Sequence, residues 1–170
     1  MKKKIEIKNY VILLLIIVIT LFAVLYARSW YITGQEYRDN NSIMTSVVSQ
    51  ISEDEITNCL SENPNAVIYA SSEEDTNVKS FEKDFTKLVS KYNLSEQLLY
   101  VNLDVSSDSF METLKSFAKS SEVADRVSNM SASLYIFKEG KLDSVIAGTN
   151  EIGVKQVEKL LKEYGVIDGE

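Results

Sequence analysis

Residues 11–25 are apolar except for Thr20, and no charge occurs between residues 9 and 27. A helix over residues 10–27 rises about 27 Å, close to the hydrocarbon thickness of a bilayer. Aromatic residues stand at both ends of the run, Tyr10 before it and Tyr26, Trp30 and Tyr31 after it, as an interfacial belt requires. A cleavable signal peptide has a similar basic head, but bulky Leu25 occupies the position two before Ala27 that a cleavage site needs small. The pattern therefore predicts an uncleaved anchor. Lys2, Lys3, Lys4 and Lys8 precede the run, against Arg28 and Arg38 after it, and this excess places the N-terminus in the cytoplasm and the remainder outside. The organisation expected is a cytoplasmic basic tail over 1–9, a transmembrane helix over 10–27, a juxtamembrane linker over 28–45 and an extracytoplasmic domain over 46–170. Within the linker, residues 33–41 are polar and aperiodic.

Beyond residue 45 the hydrophobic period switches repeatedly. Residues 46–51 read as a short strand. Residues 53–60 read as a short helix with Ile56, Cys59 and Leu60 on one face, opened by a Ser52/Glu55 capping box. Pro64 lies in the turn that follows. The continuous apolar run 66–70 predicts a central strand buried on both faces. Val78, Phe81, Phe85, Leu88, Val89 and Tyr92 then recur at steps of three and four, with Lys79, Glu82, Lys83, Asp84 and Lys87 expected to face solvent. A strand over 98–105, a helix carrying Phe110, Leu114 and Phe117, and two strands over 133–137 and 142–147 come next. The two strands are joined by a tight turn with Gly140 available for positive φ. A last helix puts Val154, Val157, Leu160, Leu161 and Tyr164 on its apolar face and ends at Gly165. The order β-α-β-α-β-α-β-β-α implies parallel strands with right-handed crossovers and a terminal antiparallel hairpin, an α/β fold with a mixed central sheet flanked by helices.

Composition narrows the chemistry. The chain carries a formal charge of −7; the head through Lys8 contributes +3, so the remainder carries −7 − 3 = −10. An acidic outer domain without a lysine-arginine cluster argues against nucleic acid and against lipid headgroups as its main partner. There is one cysteine, Cys59, and no histidine. One thiol cannot close an intrachain disulfide, the usual general base is missing, and so is the commonest zinc ligand. No cofactor and no metal site is expected. Asn40, Asn93 and Asn129 each open an N-x-S triplet, which in a Ser- and Asn-rich chain is read as chance.

The segments YVNLDVSSDSFMETLKSF and VSNMSASLYIFKEGKLDSVIAG, within this element order, resemble the thioredoxin fold over roughly residues 46–164. Among its families the chain is most similar to bacteriocin transport accessory proteins and related membrane-tethered thioredoxin-like proteins of Gram-positive bacteria. The resemblance implies a redox C-x-x-C pair at the start of the long helix. Counting from 66–70, that window falls on Asp75, Thr76, Asn77 and Val78, none of which is cysteine. It also implies a cis-proline before the hairpin, and that place falls on Ala132, between Ser131 and Ser133. A non-proline cis bond costs about 3 kcal/mol, so Ser131–Ala132 is expected trans.

Cys59 is expected to be an inert core thiol, because no cation lies within a helical turn and Glu55 would raise its pKa. Glu73, Glu74 and Asp75 are read as complements to the dipole of the long helix, with Ser71 or Ser72 as its N-cap. The expectation is therefore a domain that is no enzyme, a protein- or peptide-binding accessory or chaperone-like factor at the cell envelope. Its groove would comprise residues 71–77 and 130–133. The alternative is a single-cysteine oxidoreductase or reductase partner using Cys59.

Overall fold

The computed structural model describes residues 7–39, 42–106, 109–128 and 130–168. Lys2, Lys3 and Lys4 of the basic head, Asn40, Asn41 and Asn129 lie outside the described residues. Two compact units are present, residues 1–37 and 38–170.

The first unit is helix α1, Ile7–Asp39. Its stretch Asn9–Trp30 has a mean hydropathy of 2.9 and no residue buried against protein, and it is long and apolar enough to cross a membrane. Its single internal hydroxyl, on Thr20, donates to the Ile16 carbonyl at 2.9 Å, so no polar side chain is left unsatisfied inside the apolar run. The linker expected over 33–41 is instead helical as far as Asp39. No proline interrupts residues 28–39, and only Gly34 weighs strongly against helix there.

The second unit is built on a five-stranded sheet in the order β1-β3-β2-β4-β5. Strands β1 (Ser49–Gln50), β2 (Val67–Ser71) and β3 (Leu98–Asn102) are parallel. Strand β4 (Ser133–Lys138) runs antiparallel to β2, and β5 (Lys141–Ile146) antiparallel to β4. The first strand is shorter than expected, because residues Met44–Ser46 wind into a 3-10 turn. That turn belongs to the domain, with Met44 fully buried in the core, so the fold begins before residue 46.

Period-two alternation assigns the two faces of the sheet. Val67, Tyr69, Tyr100, Leu134 and Ile136 pack against α3 (Thr76–Lys91) and α7 (Val154–Glu163) through Val78, Phe81, Phe85, Val157 and Leu161. Ile68, Ala70, Val101, Tyr135 and Phe137 pack against α2 (Ile56–Glu62), α4 (Ser109–Ser116) and α5 (Ser121–Arg126). The helix expected around residues 110–117 is α4, and α5 after it is an additional helix absent from the sequence expectation. Between them the chain turns to cover the outer edge of β5: the Leu142 N–H donates to Phe117 O at 2.8 Å, and Lys119 N–H donates to Leu142 O at 3.1 Å. An Arg126 guanidinium N–H takes the Val145 carbonyl at 2.7 Å. The edge is closed to strand addition.

The capping box read from the sequence is present at Ser52 and Glu55. The Ser52 amide donates to the Glu55 carboxylate at 2.7 Å, which depresses the Glu55 pKa through the backbone and hydroxyl donors of Ser52. Glu55→Ala is expected to lower stability by about 1 kcal/mol, measured as a shift in urea midpoint. In the β4–β5 hairpin Glu139 and Gly140 have φ of 52° and 74°, the two left-handed positions of a type I′ turn.

Candidate functional site

The carboxyl ends of β2, β3 and β5 and the amino end of β4 converge at one end of the sheet, where open α/β sheets offer a crevice to ligands. Three loops meet there. The first leaves β2 at Ser71 and reaches α3. Within it the Ser72 hydroxyl donates to Asp104 Oδ1 and the Glu73 amide to Asp104 Oδ2 at 2.7 Å, so one carboxylate beyond β3 clamps the turn. The Asp104 amide is itself held at 2.9 Å by Asn102 Oδ1. From the loop before β4, Ser131 Oγ accepts the Ser72 amide at 3.0 Å. The structure thus brings Ser131 against the loop leading to Asp75.

Each residue of the 75–78 window has a structural occupation. Asp75 is the N-cap of α3, accepting the Asn77 amide at 2.9 Å. The cap is therefore Asp75 and neither Ser71 nor Ser72: Ser71 is buried, and Ser72 is committed to Asp104. Glu73 and Glu74 precede the helix, whose first turn holds no acid, so only Asp75 is placed to complement the dipole. Thr76 and Asn77 open the first turn, and Val78 is fully buried in the core.

The loop before β4 differs from an ordinary strand lead-in. The Ser131–Ala132 peptide is trans, as expected, and Ala132 has φ of +58° with its side chain fully buried. A non-glycine residue in the left-handed region carries about 1–2 kcal/mol of strain. It is held by Thr149, whose amide donates to the Ala132 carbonyl at 2.6 Å and whose hydroxyl donates to the same oxygen. Ser133 is buried and donates to Met130 O at 2.8 Å.

Beneath these loops lies a polar cluster that the sequence reading placed wrongly. Glu82, expected to face solvent, is 2% exposed. Its Oε1 accepts from Ser71 Oγ at 2.7 Å and from the Tyr69 hydroxyl at 3.2 Å, and Ser71 Oγ lies 3.4 Å from the Tyr100 hydroxyl. Burial pushes the Glu82 pKa up, opposed by the Ser71 and Tyr69 donors. Burial likewise raises Tyr69 well above the usual tyrosine value, and Tyr100 to about 12. Spacing held the signal: residues 78, 82, 85 and 89 form a continuous i, i+4, i+7, i+11 stripe, so position 82 belongs to the core face whatever its residue type. Asn102 shares this face of the sheet, 1% exposed, and its Nδ2 is buried without a partner among the described residues.

Cys59 is elsewhere. It sits half-buried on α2, packed at the margin of the core on the α2/α4 face, whereas Ala132 belongs to the core on the α3/α7 face. The expectation of a buried thiol is therefore met only in part. Burial raises its pKa first, and the charges of Glu55 and Glu62 raise it further. Modification by iodoacetamide at neutral pH is expected to be slower than for free cysteine, as followed by mass spectrometry of the native protein. Among the described residues no group of three or more Cys, Asp or Glu side chains is placed to hold a metal ion.

No protein-family model matches the chain, and no curated protein does. Solved structures do. Thioredoxin f2 of Chlamydomonas reinhardtii superposes with a TM-score of 0.53 at 11% identity, covering 69% of this chain and 95% of its own. Mitochondrial thioredoxin 3 of Saccharomyces cerevisiae, in its oxidised form, gives 0.51 at 23% identity over 72% of this chain and 99% of its own. At these identities the likeness establishes the fold: residues of the second unit form a thioredoxin-like α/β domain with a mixed five-stranded sheet and a single cysteine.

Proposed function

We propose that this protein is a single-pass membrane-anchored factor whose extracytoplasmic thioredoxin-like domain works as a non-catalytic protein- or peptide-binding accessory at the cell envelope of a Gram-positive bacterium. The observation that carries this reading is the separation of sulfur from the crevice. The window where the fold's redox pair would stand is filled by an N-cap aspartate and a buried valine, while the one thiol lies on the opposite face of the sheet with a raised pKa. Dithiol exchange needs a low-pKa thiolate and a second sulfur to resolve the mixed disulfide. Binding needs no sulfur, and the Asp104 clamp and the Ser131–Ser72 bond fix the loops on which such binding would rest.

The lysine-rich head and the exposed apolar surface of α1 support the anchor and its orientation. In vivo photocrosslinking from a probe at Asn77 in the intact membrane, followed by identification of the captured chain, tests the role. Capture of a defined envelope or secreted partner is the expected result. Reduction of insulin by the purified protein, abolished in Cys59→Ser, would instead establish the single-cysteine oxidoreductase.

A further inference from the structure

Beside the 75–78 window the surface sinks into an open trough of about 670 Å³ between the start of α3 and the segment joining α6 (Thr149–Ile152) to α7. Its walls carry Asp75 and Asp84 from the α3 side and Glu151 from α6, against the single cation Lys155, and its floor includes Phe81 and Val154. Apolar side chains continue onto the rim. Met130 and Ile152 are 44% and 43% exposed, the two large hydrophobic side chains of the outer domain left this open among the described residues. They stand beside its lining residues. Ile152 sits between the lining residues Glu151 and Gly153, and Met130 Cε would come within 3.3 Å of a Cβ built on Gly148, with the Glu151 carboxylate 3.6 Å from the same point. Gly148 itself has φ of +65°, a backbone conformation that favours glycine there.

We propose, resting on the peptide-binding reading above, that this trough docks a cationic peptide segment in which lysine or arginine flanks an apolar side chain. The apolar residue covers Met130 and Ile152, and the flanking cations face Asp75 and Glu151. Charge selects this occupant. The domain carries −10, and with Asp84 already paired to Lys87 the trough still sets Asp75 and Glu151 against Lys155, so an acidic segment, a nucleic acid or an anionic lipid surface is repelled where a basic segment is drawn in.

The test uses the full-length protein in nanodiscs of zwitterionic lipid and fluorescein-labelled peptides on a Gly/Ser host: one with lysines around a leucine, one with glutamates replacing the lysines, and one with serine replacing the leucine. Anisotropy titrations are expected to show the lysine–leucine peptide binding at least about tenfold more tightly than either control, with affinity falling as salt rises from about 0.05 to 0.3 M. The double variant Asp75→Asn, Glu151→Gln keeps an N-cap and should weaken that peptide about fivefold while leaving near-ultraviolet circular dichroism unchanged. Equal binding of the glutamate peptide, or an unchanged affinity in the double variant, overturns the charge-selected trough and leaves peptide binding standing. Absence of binding by all three peptides, with crosslinking to a partner still seen from Asn77, overturns the trough alone; absence of both removes the peptide-binding reading as well.

Discussion

Ala132→Pro is expected to cost the thioredoxin-like domain about 3 kcal/mol or more, although proline is what the resemblance to the fold implies at this place. Ala132 sits at φ +58°, and a proline ring fixes φ near −65°. Moving φ across that range cannot be absorbed locally. The Ala132 carbonyl is held by both the amide and the hydroxyl of Thr149, and the side chain is wholly enclosed in the core. The residue before a proline is restricted as well, and here that residue is Ser131, whose hydroxyl fixes the Ser72 amide across the crevice. Ala132→Gly isolates the backbone cause. Glycine relieves about 1–2 kcal/mol of left-handed strain but loses roughly 0.4–1 kcal/mol to unfolded-chain entropy and about 0.8 kcal/mol of buried methyl. These nearly cancel, so its stability should lie within about 1 kcal/mol of wild type. Urea melts of the full-length protein in detergent, followed by the near-ultraviolet dichroism of buried Tyr69, Tyr100 and Tyr135, separate the domain from α1. A proline variant as stable as wild type would mean that this loop reaches the hairpin by a different backbone path.

That loop also shows where sequence reading runs out. The central strands, the long helix and the hairpin were legible because their apolar positions repeat at two and at 3.6 over enough residues to fix type and face. Val67, Tyr69, Phe81, Phe85, Leu134 and Ile136 all lie in the core facing α3 and α7. The place of Ala132 could be counted back from the hairpin, but its left-handed backbone could not, since alanine carries no signal for positive φ. It is imposed by Thr149, seventeen residues later in sequence. Helix α5 was equally hidden: residues 117–119 leave the helical path to pair with Leu142 on the β5 edge, and the six residues that follow are too few to show a period. The continuation of α1 through residues 33–39 went unread for the opposite reason: polarity marks solvent, not the absence of helix. Glu82 was misplaced by residue type when its spacing already put it inside.

Glu82 gives the second large expected effect, and the pair of variants Glu82→Leu and Glu82→Gln separates its hydrogen bonds from its charge. Leucine removes the acceptor for Tyr69 and Ser71, leaving two buried hydroxyls to lose about 1–3 kcal/mol each, partly offset by the added apolar burial. A net loss of about 2–4 kcal/mol is expected near pH 4.5, where the raised pKa leaves the carboxyl more protonated in the fold than in the unfolded chain. Glutamine keeps a carbonyl oxygen in the same position and should stay close to wild type at that pH. The variants then diverge as pH rises. The folded pKa of Glu82 lies above its ordinary value of 4.5, chiefly through burial, with the Glu73 charge raising it and Lys79 lowering it. Between 4.5 and that raised value the unfolded chain has released a proton the folded chain still holds. Wild type therefore loses stability across this window relative to any variant without the carboxyl, and the contribution is present in full only below 4.5. Glu82→Gln should gain on wild type as pH rises from 4.5, and the deficit of Glu82→Leu should shrink over the same interval. Carboxylates remote from Glu82 titrate equally in all three proteins, so the differences in urea midpoint report on position 82 and the Glu73 charge coupled to it. Parallel pH profiles for wild type and Glu82→Gln would show that this carboxyl ionises as freely in the fold as in water, and would place it outside the core.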